Sequence, residues 1–408
     1  MTDVNMSRIH HRKVLYIPGF DPFPPRRYRE LYRREGAEQA RLSGYELNLS
    51  AGADARSWIV EAVIEGTRTR TEFEVLGWSD LVADGMSASV LGTYVSLART
   101  AWTYLRSGTF LRVLRLRKGP MLAVAYSTGV LLMQLLLAMV IGSLAWWVVA
   151  VMAGGGIGLA FGLAAGLATA WITLRWFKAR DNRLLAQYLL HDYAFWARSS
   201  GAYPASIEAR LAAFAHRVAA SLATEAEEVL IVGHSAGVII GVSLLADMIR
   251  AGRIPDGRCA FLSLGHVVPM VSFLPQANKL RDDLHLMGGQ DVVPWIDISA
   301  PGDGCTFALC DPVAVSGAAP QARTGPRILS AAFSRTLSPA KQRELRRRFF
   351  RAHFQYLCAF DNLQGQLGEY DYFRVTAGPL RLADRFATRK DSPSTLRDPG
   401  RSATRRAA

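Results

Sequence analysis

The feature that most constrains this chain is a run from Met121 to Leu174 that contains no charged residue. One membrane-spanning helix needs about 20 apolar residues, so the run predicts two helices. The turn between them is expected at Gly142-Ser143 or at Gly154-Gly155-Gly156. A buried core hairpin of a soluble protein is the alternative, although a core helix does not need an uncharged run of this length. We therefore predict a transmembrane hairpin over residues 119–176, with a lipid bilayer as its partner.

Basic residues flank the uncharged run on both sides. By the positive-inside rule, both ends face the cytoplasm and the tip of the hairpin faces the outside of a bacterial-type inner (plasma) membrane. We expect both termini and the rest of the chain on the cytoplasmic side. No ionisable residue lies within the run, which disfavours a pore or a transporter. The flanking residues are Arg112, Arg115, Arg117 and Lys118 before the run, and Arg175, Lys178, Arg180 and Arg183 after it.

The chain is strongly basic, with a net charge of +14 and a sequence pI near 10.0. This balance suits anionic lipid or nucleic acid. No metal-finger spacing and no RNP-like aromatic pattern accompanies it, so we expect no nucleic-acid partner. The four cysteines lack the spacing of a disulfide framework or a zinc site. Residues 1–13 have no apolar core, so we expect no cleavable signal peptide.

A second constraining stretch begins with the β-branched run at Val229 and continues through Gly233-His234-Ser235-Ala236-Gly237 into a helical pattern. This is a G-x-S-x-G elbow, in which serine occupies a tight strand-to-helix turn with its hydroxyl exposed. The glycines let strand and helix pack closely. The helix N-terminus and the N–H of Ala236 would stabilise an oxyanion. A plain structural turn is the alternative, but the strand before and the helix after favour a nucleophilic Ser235.

Strand patterns alternate with helical patterns on both sides of the elbow, which predicts a mainly parallel sheet covered on both faces. The first strand is expected at Lys13–Phe20, and the Phe20 N–H would be a second oxyanion donor, with Gly19 allowing close approach. An ordinary strand-ending turn explains Pro18-Gly19-Phe20 equally well. A basic amphipathic helix is predicted over Pro339–Leu357. Further strands are expected at Trp58–Glu65, Thr71–Trp78, Cys259–Gly265, Val293–Ser299 and Arg327–Phe333.

The elbow, the first strand and the segment from about Val293 to Tyr356 resemble the lipase/esterase-like region of the α/β-hydrolase superfamily. The resemblance does not cover the apolar middle of the chain. It implies an α/β-hydrolase fold with a mostly parallel sheet flanked by helices, into which the transmembrane hairpin is inserted. It also implies a catalytic triad in the chain order serine, acid, histidine.

That order makes His353 the candidate base, because it is the only histidine after the strand at Trp295. Four apolar residues lie at helical spacing around it, Phe349, Phe350, Tyr356 and Leu357, so a core histidine on an apolar helix face is the alternative. A catalytic histidine usually lies on a loop, so we expect a break or a helix start near Arg351.

The acid follows from the segment Trp295-Ile-Asp-Ile-Ser-Ala-Pro-Gly-Asp303, which resembles the hydrolase pattern Trp-x-Asn-x-x-x-Pro-x-Asp. The last residue of that pattern is the triad acid, which makes Asp303 the first choice and Asp311 the second. Asp297 is a further candidate that falls within the strand. Any of the three could be a turn residue.

Together these patterns predict a membrane-anchored serine hydrolase that cleaves an acyl ester, without a metal or an organic cofactor. An acyltransferase that uses the same triad, or a non-catalytic membrane-anchored interaction protein of the same fold, would fit the same residues. The expected organisation is an N-terminal part of the catalytic domain (1–110), the hairpin (119–176), a C-terminal part (177–384) and a disordered basic tail (385–408).

Overall fold

A computed structural model describes residues 8–86, 89–181, 185–346 and 348–398. Within these residues, eight strands form one sheet in the order β2-β3-β4-β1-β5-β6-β7-β8. Strands β2, β3 and β4 are antiparallel neighbours, and all other neighbours are parallel. The strands are β1 (His11–Ile17), β2 (Glu46–Ala51), β3 (Ser57–Ile64), β4 (Thr67–Val75), β5 (Glu228–His234), β6 (Cys259–Leu264), β7 (Trp295–Ser299) and β8 (Arg327–Ser330).

Helices cover the sheet, so the chain has the α/β architecture with a mostly parallel sheet that the sequence predicts. The helices of the first half are α1 (Arg26–Ser43), α2 (Ser79–Met86), α3 (Val90–Arg106), α4 (Thr109–Leu116), α5 (Lys118–Ala153), α6 (Gly155–Lys178), α7 (Ala186–Ala197) and α8 (Ala205–Leu222). Those of the second half are α9 (Gly237–Arg250), α10 (Pro269–Ser272), α11 (Asn278–Gly289), α12 (Pro312–Val315), α13 (Phe333–Thr336), α14 (Pro339–Arg346), α15 (Phe349–His353), α16 (Tyr372–Ala377) and α17 (Leu382–Arg385).

The sheet separates two apolar cores. Side chains alternate across a strand, so Leu15 of β1 faces the core under α8 and α9, and Val14 faces the core under α1 and α16. Helices α1 and α9, which follow the neighbouring strands β1 and β5, therefore lie on opposite faces of the sheet. In open α/β sheets, such a reversal opens a crevice at the carboxyl ends of the strands, where ligands bind.

The uncharged run forms two antiparallel helices, α5 and α6, which meet at Gly154. Gly154 has a φ of 61°, and the N-terminal residue of α6, Gly155, has a φ of 57°. The second of the two predicted turn positions is therefore the one that the structure has. Both helices are long and apolar enough to cross a membrane, and only 11% and 17% of their most apolar windows are buried. Their apolar side chains therefore face outward rather than into a protein core.

Small residues hold α5 and α6 together. A Cβ added at Gly142 would lie 2.7 Å from the carbonyl oxygen of Gly166, and one added at Gly162 would lie 2.7 Å from that of Trp146. Helix pairs in membranes use small residues in this way, because backbones that approach closely gain van der Waals contact. Gly142, the first predicted turn position, instead lies at this crossing.

The first turns of α5 are attached to the rest of the chain. The Ser127 hydroxyl donates to the carbonyl oxygen of Ala186 at 2.6 Å, and the Tyr94 hydroxyl donates to that of Leu131 at 3.2 Å. A Cβ added at Gly119 would lie 3.1 Å from the carbonyl oxygen of Gly304. The base of the hairpin therefore packs directly against the loop that follows β7.

Two segments differ from the sequence prediction. The basic helix predicted over Pro339–Leu357 is divided into α14 and α15, and a 3-10 turn at Gln355–Leu357 follows. The segment from Arg385, predicted to be a disordered tail, is fixed as far as residue 398. Arg385 is buried and pairs with Glu65 at 3.0 Å, and the Leu396 N–H donates to the carbonyl oxygen of Leu309 at 2.8 Å. The remainder of the predicted tail, residues 399–408, lies outside the described residues.

Candidate active site

Ser235 occupies a sharp turn between β5 and α9. Its φ of 57° lies in the left-handed region, which is uncommon for a residue with a side chain. The Ser235 N–H donates to the carbonyl oxygen of Leu264 at 2.9 Å, which ties the turn to the end of β6. Backbone strain of this kind persists where the surrounding structure enforces it and is concentrated at functional sites. The predicted elbow is therefore present in the backbone.

The glycines on either side of Ser235 have the close contacts that the elbow requires. A Cβ added at Gly237 would lie 2.2 Å from the carbonyl oxygen of Ile17, at the end of β1. One added at Gly233 would lie 3.0 Å from the Cα of Val238. A side chain at Gly237 would push α9 away from β1, and a side chain at Gly233 would push β5 away from α9.

The loop after β1 lies against the serine. A Cβ added at Gly19 would lie 2.9 Å from the Cβ of Ser235. Trp78 Nε1 donates to the carbonyl oxygen of Pro18 at 2.8 Å, and the Tyr188 hydroxyl donates to that of Phe20 at 2.5 Å. These bonds fix the loop whose Gly19 lies against Ser235, and the N–H groups of Phe20 and Ala236 stay the predicted oxyanion donors.

His353, at the end of α15, is hydrogen-bonded to Asp303. The distance between His353 Nδ1 and Asp303 Oδ2 is 2.7 Å, and the two side chains are 9% and 0% exposed. The Cys305 N–H donates to Asp303 Oδ1 at 2.9 Å, which orients the carboxylate. Because Nδ1 is bound to the carboxylate, Nε2 is the ring atom that can accept a proton. The structure thus brings together the first-choice acid and the predicted base.

His234 connects this pair to the elbow. Its Nε2–H donates to the carbonyl oxygen of His353 at 2.9 Å, and the two rings lie 4.8 Å apart between centroids. Burial, together with the charge of His353, lowers the pKa of His234 to about 3, so its ring is neutral near pH 7. The residue next to Ser235 therefore holds the backbone of the candidate base. The sequence identifies His234 only as part of the elbow motif.

The two alternative acids lie elsewhere. Asp311 accepts from the N–H groups of Val313 and Ala314 at 3.1 Å and pairs with Arg323 at 2.6 Å, so it caps α12. Asp297 accepts from the Ser263 hydroxyl at 2.5 Å inside the sheet. Burial raises the pKa of Asp297 to about 8. Asp297 is therefore a buried group that favours its neutral form, and it is not an ionised partner for His353.

Asp192, on α7, is an acidic neighbour that the sequence prediction missed. Burial raises its pKa to about 7, and the charge of His353 opposes that increase. Its Oδ1 is buried and has no hydrogen bond of ordinary geometry among the described residues. Asp192 lies one helical turn after Tyr188, which bonds the loop after β1. The spacing of Tyr188 and Asp192 by one helical turn is visible in the sequence. Only the position of α7 in the fold shows that Asp192 lies near His353.

Asp303, Cys305 and His353 each offer a metal-ligand atom, and these atoms lie within 4.8 Å of one another. Burial raises the pKa of the Cys305 thiol well above its ordinary value, and a neutral thiol is a poor ligand. Two of the three atoms are already hydrogen-bonded to each other. The arrangement fits a histidine–carboxylate pair better than a cation site.

Comparisons with protein-family models, with curated proteins and with solved structures found no match to this chain.

Proposed function

We propose that this protein is a serine hydrolase of the α/β-hydrolase class that cleaves an acyl ester at a membrane surface. The observation that carries the proposal is the hydrogen bond between His353 and Asp303. The side chain of His234, the residue before the strained turn at Ser235, donates to the backbone of His353 and so links this pair to the turn. Nucleophile, base and orienting acid are the three parts that covalent acyl transfer requires.

In the proposed reaction, Ser235 Oγ attacks the ester carbonyl carbon while its proton passes to His353 Nε2. The N–H groups of Phe20 and Ala236 stabilise the negative charge that develops on the carbonyl oxygen. The carbon–oxygen bond to the alcohol then breaks, and the alcohol leaves with the proton from His353. Asp303 keeps the imidazole oriented and stabilises its charged form.

Water completes the reaction by attacking the acyl-enzyme. His353 takes one proton from that water and returns it to Ser235 Oγ, which releases the free acid. An alcohol or an amine in place of water would make the same site an acyltransferase. The product distinguishes these outcomes, because only hydrolysis yields the free acid.

The membrane part of the proposal is supported by the outward-facing apolar surface of α5 and α6 and by the basic residues at both ends of the pair. A bilayer would cover that surface. The orientation of α5 and α6 in the bilayer follows from the positive-inside rule, which predicts that the catalytic domain lies in the cytoplasm. The close packing between Gly119 and Gly304 supports a site held next to the bilayer.

The test is ester hydrolysis by the full chain in detergent, with p-nitrophenyl butyrate as substrate and the released acid measured. Ser235→Ala should lower kcat/KM by about a thousandfold or more, because no other group supplies the nucleophile. Ser50→Ala, at an exposed position on β2, is the control and should retain the wild-type rate. Equal rates for Ser235→Ala and the wild type would contradict the proposal.

A further inference from the structure

A partly open apolar cavity lies between the base of the hairpin and α7. Its volume is about 250 Å³, and helices α3, α4, α5 and α7 contribute its walls. Apolar side chains make up most of the lining, among them Leu97, Val113, Met121, Val124 and Leu189. Cavities lined in this way are dry and take apolar ligands rather than water.

Exposed apolar residues lie on one side of the cavity and also on the first turns of the hairpin helix α5. Ala101 and Leu105 lie at its rim and are exposed, and Trp102 beside them is 64% exposed. Leu122, on the first turns of α5, is 69% exposed. A patch of large apolar side chains continuous with a membrane anchor marks a surface that lies in the bilayer interface.

Basic residues alternate with these apolar ones along α3 and α4. Arg106 lies over the ring of Trp102, with 5.9 Å between its Cζ and the ring centroid. Apolar residues that enter the acyl region, with arginines at headgroup level, characterise interfacial helices on anionic membranes. The cavity rim is therefore placed to meet lipid rather than water. The other exposed basic residues of these helices are Arg99 and Arg115.

The inner side of the cavity borders the candidate active site, with α7 as the common wall. Leu189 and Tyr193 face the cavity. Tyr188, on the same helix, bonds the loop that carries Phe20, and Asp192 interacts with His353. A helix is about 10 Å across, a distance that a long acyl chain spans and a short one does not.

We propose that this cavity, defined by the walls of α3, α4, α5 and α7, binds the distal part of the acyl chain of a membrane lipid ester. This inference rests on the proposed function, and it assigns long-chain lipid esters as the substrate class. The acyl chain of the lipid enters from the cytoplasmic leaflet at Ala101 and Leu105, and the ester carbonyl reaches Ser235. Each buried methylene adds binding energy, so kcat/KM rises with chain length until the cavity is full.

The test fills the cavity and compares a short with a long ester, p-nitrophenyl butyrate and p-nitrophenyl laurate, in the same detergent. Val124→Trp should lower kcat/KM for the laurate by roughly tenfold or more and leave the butyrate within about twofold. Leu122→Trp adds the same ring on the exposed face of the same helix and should change neither rate. Ala101→Trp, at the exposed rim, should repeat the chain-length effect if Val124→Trp does not fold. Equal losses for both esters, or no loss for the laurate, would overturn the inference.

A second measurement separates this inference from the proposed chemistry. A phosphatidylcholine with a diazirine near the end of its acyl chain is incorporated into vesicles that contain the Ser235→Ala protein, and crosslinked peptides are mapped. Crosslinks on α3 and α7 that Val124→Trp abolishes in this background would support the cavity even if the wild type hydrolyses no ester. Crosslinks confined to the outer turns of α5 and α6 would contradict the cavity even if Ser235 proves to be the nucleophile.

Discussion

The crevice at Ser235 and the hairpin of α5 and α6 are built on opposite principles. In the crevice, residues far apart in the sequence are fixed by individual hydrogen bonds, such as His353 to Asp303 and His234 to the His353 backbone. In the hairpin, one uniform composition extends over both helices, and close contact is confined to a few glycines. We therefore expect the loss of a single polar atom in the crevice to reduce activity. In the hairpin, we expect a substitution to weaken helix pairing only where the two backbones cross.

The largest expected effect is in the crevice. His353→Ala should lower kcat/KM for p-nitrophenyl butyrate by roughly a thousandfold, because the Ser235 proton then has no acceptor. His216→Ala, an exposed histidine on α8, should leave the rate unchanged. A His353→Ala enzyme with more than about a tenth of the wild-type rate would show that His353 is not the general base.

The orienting acid gives the next largest effect. Asp303→Asn should lower kcat/KM by roughly 100- to 10,000-fold, because the amide no longer stabilises a charged imidazole. Asp291→Asn, at an exposed position before β7, is the matched control. If the two variants had equal rates, the hydrogen bond between Asp303 and His353 would be structural only.

A buried group outside the crevice should change stability and not activity. The folded-state pKa of Asp297 is about 8 against an ordinary 3.8, so the folded protein keeps a proton that the unfolded chain releases. The contribution of Asp297 to stability should therefore fall as the pH rises through that window, by as much as about 4 kcal/mol between about pH 5 and pH 8. Buried neutral histidines such as His234 have the opposite pH dependence, so the measurement is the difference in unfolding free energy between the wild type and Asp297→Asn, which should change in favour of the variant as the pH rises, while ester hydrolysis stays near wild type. A difference that is constant over this interval would contradict the neutral assignment.

The smallest effect is in the hairpin. Gly142→Ala should weaken the pairing of α5 and α6 by about 1–2 kcal/mol, because its Cβ meets a backbone carbonyl that no side-chain rotation relieves. Gly129→Ala, on the same helix, would meet no described atom within 4 Å and should be neutral. Protease cleavage at Gly154 in detergent measures the pairing. Both variants should hydrolyse butyrate at the wild-type rate, and a loss of activity in Gly142→Ala would show that the two regions are coupled.

Local patterns predict the parts of this molecule that depend on neighbours in the chain. The strand–turn–helix at Ser235 and the uncharged run of α5 and α6 follow from short segments. Strand β2 was not predicted, because its side chains are polar or partly exposed at an antiparallel edge. It is stabilised by pairing with β3, which no local pattern encodes.

The candidate site divides in the same way. The elbow motif predicts Ser235, and chain order predicts His353. The resemblance of the segment after Trp295 makes Asp303 the first choice of three acids, and the structure brings Asp303 and His353 within hydrogen-bond distance. The role of His234 and the proximity of Asp192 depend on how α7 and α15 pack, which a sequence pattern does not encode. Asp297 and Asp303 are six residues apart and both are buried, and only their positions in and beyond β7 separate an acid inside the sheet from one that reaches His353.

The most direct test of the central claim is the position of a fluorophosphonate adduct. The full chain is treated in detergent, digested and mapped by mass spectrometry. The account predicts one adduct, on Ser235, which is absent in Ser235→Ala and sharply reduced in His353→Ala. Failure of Ser235 to label in a folded wild-type protein, or labelling that is indifferent to His353, would contradict it.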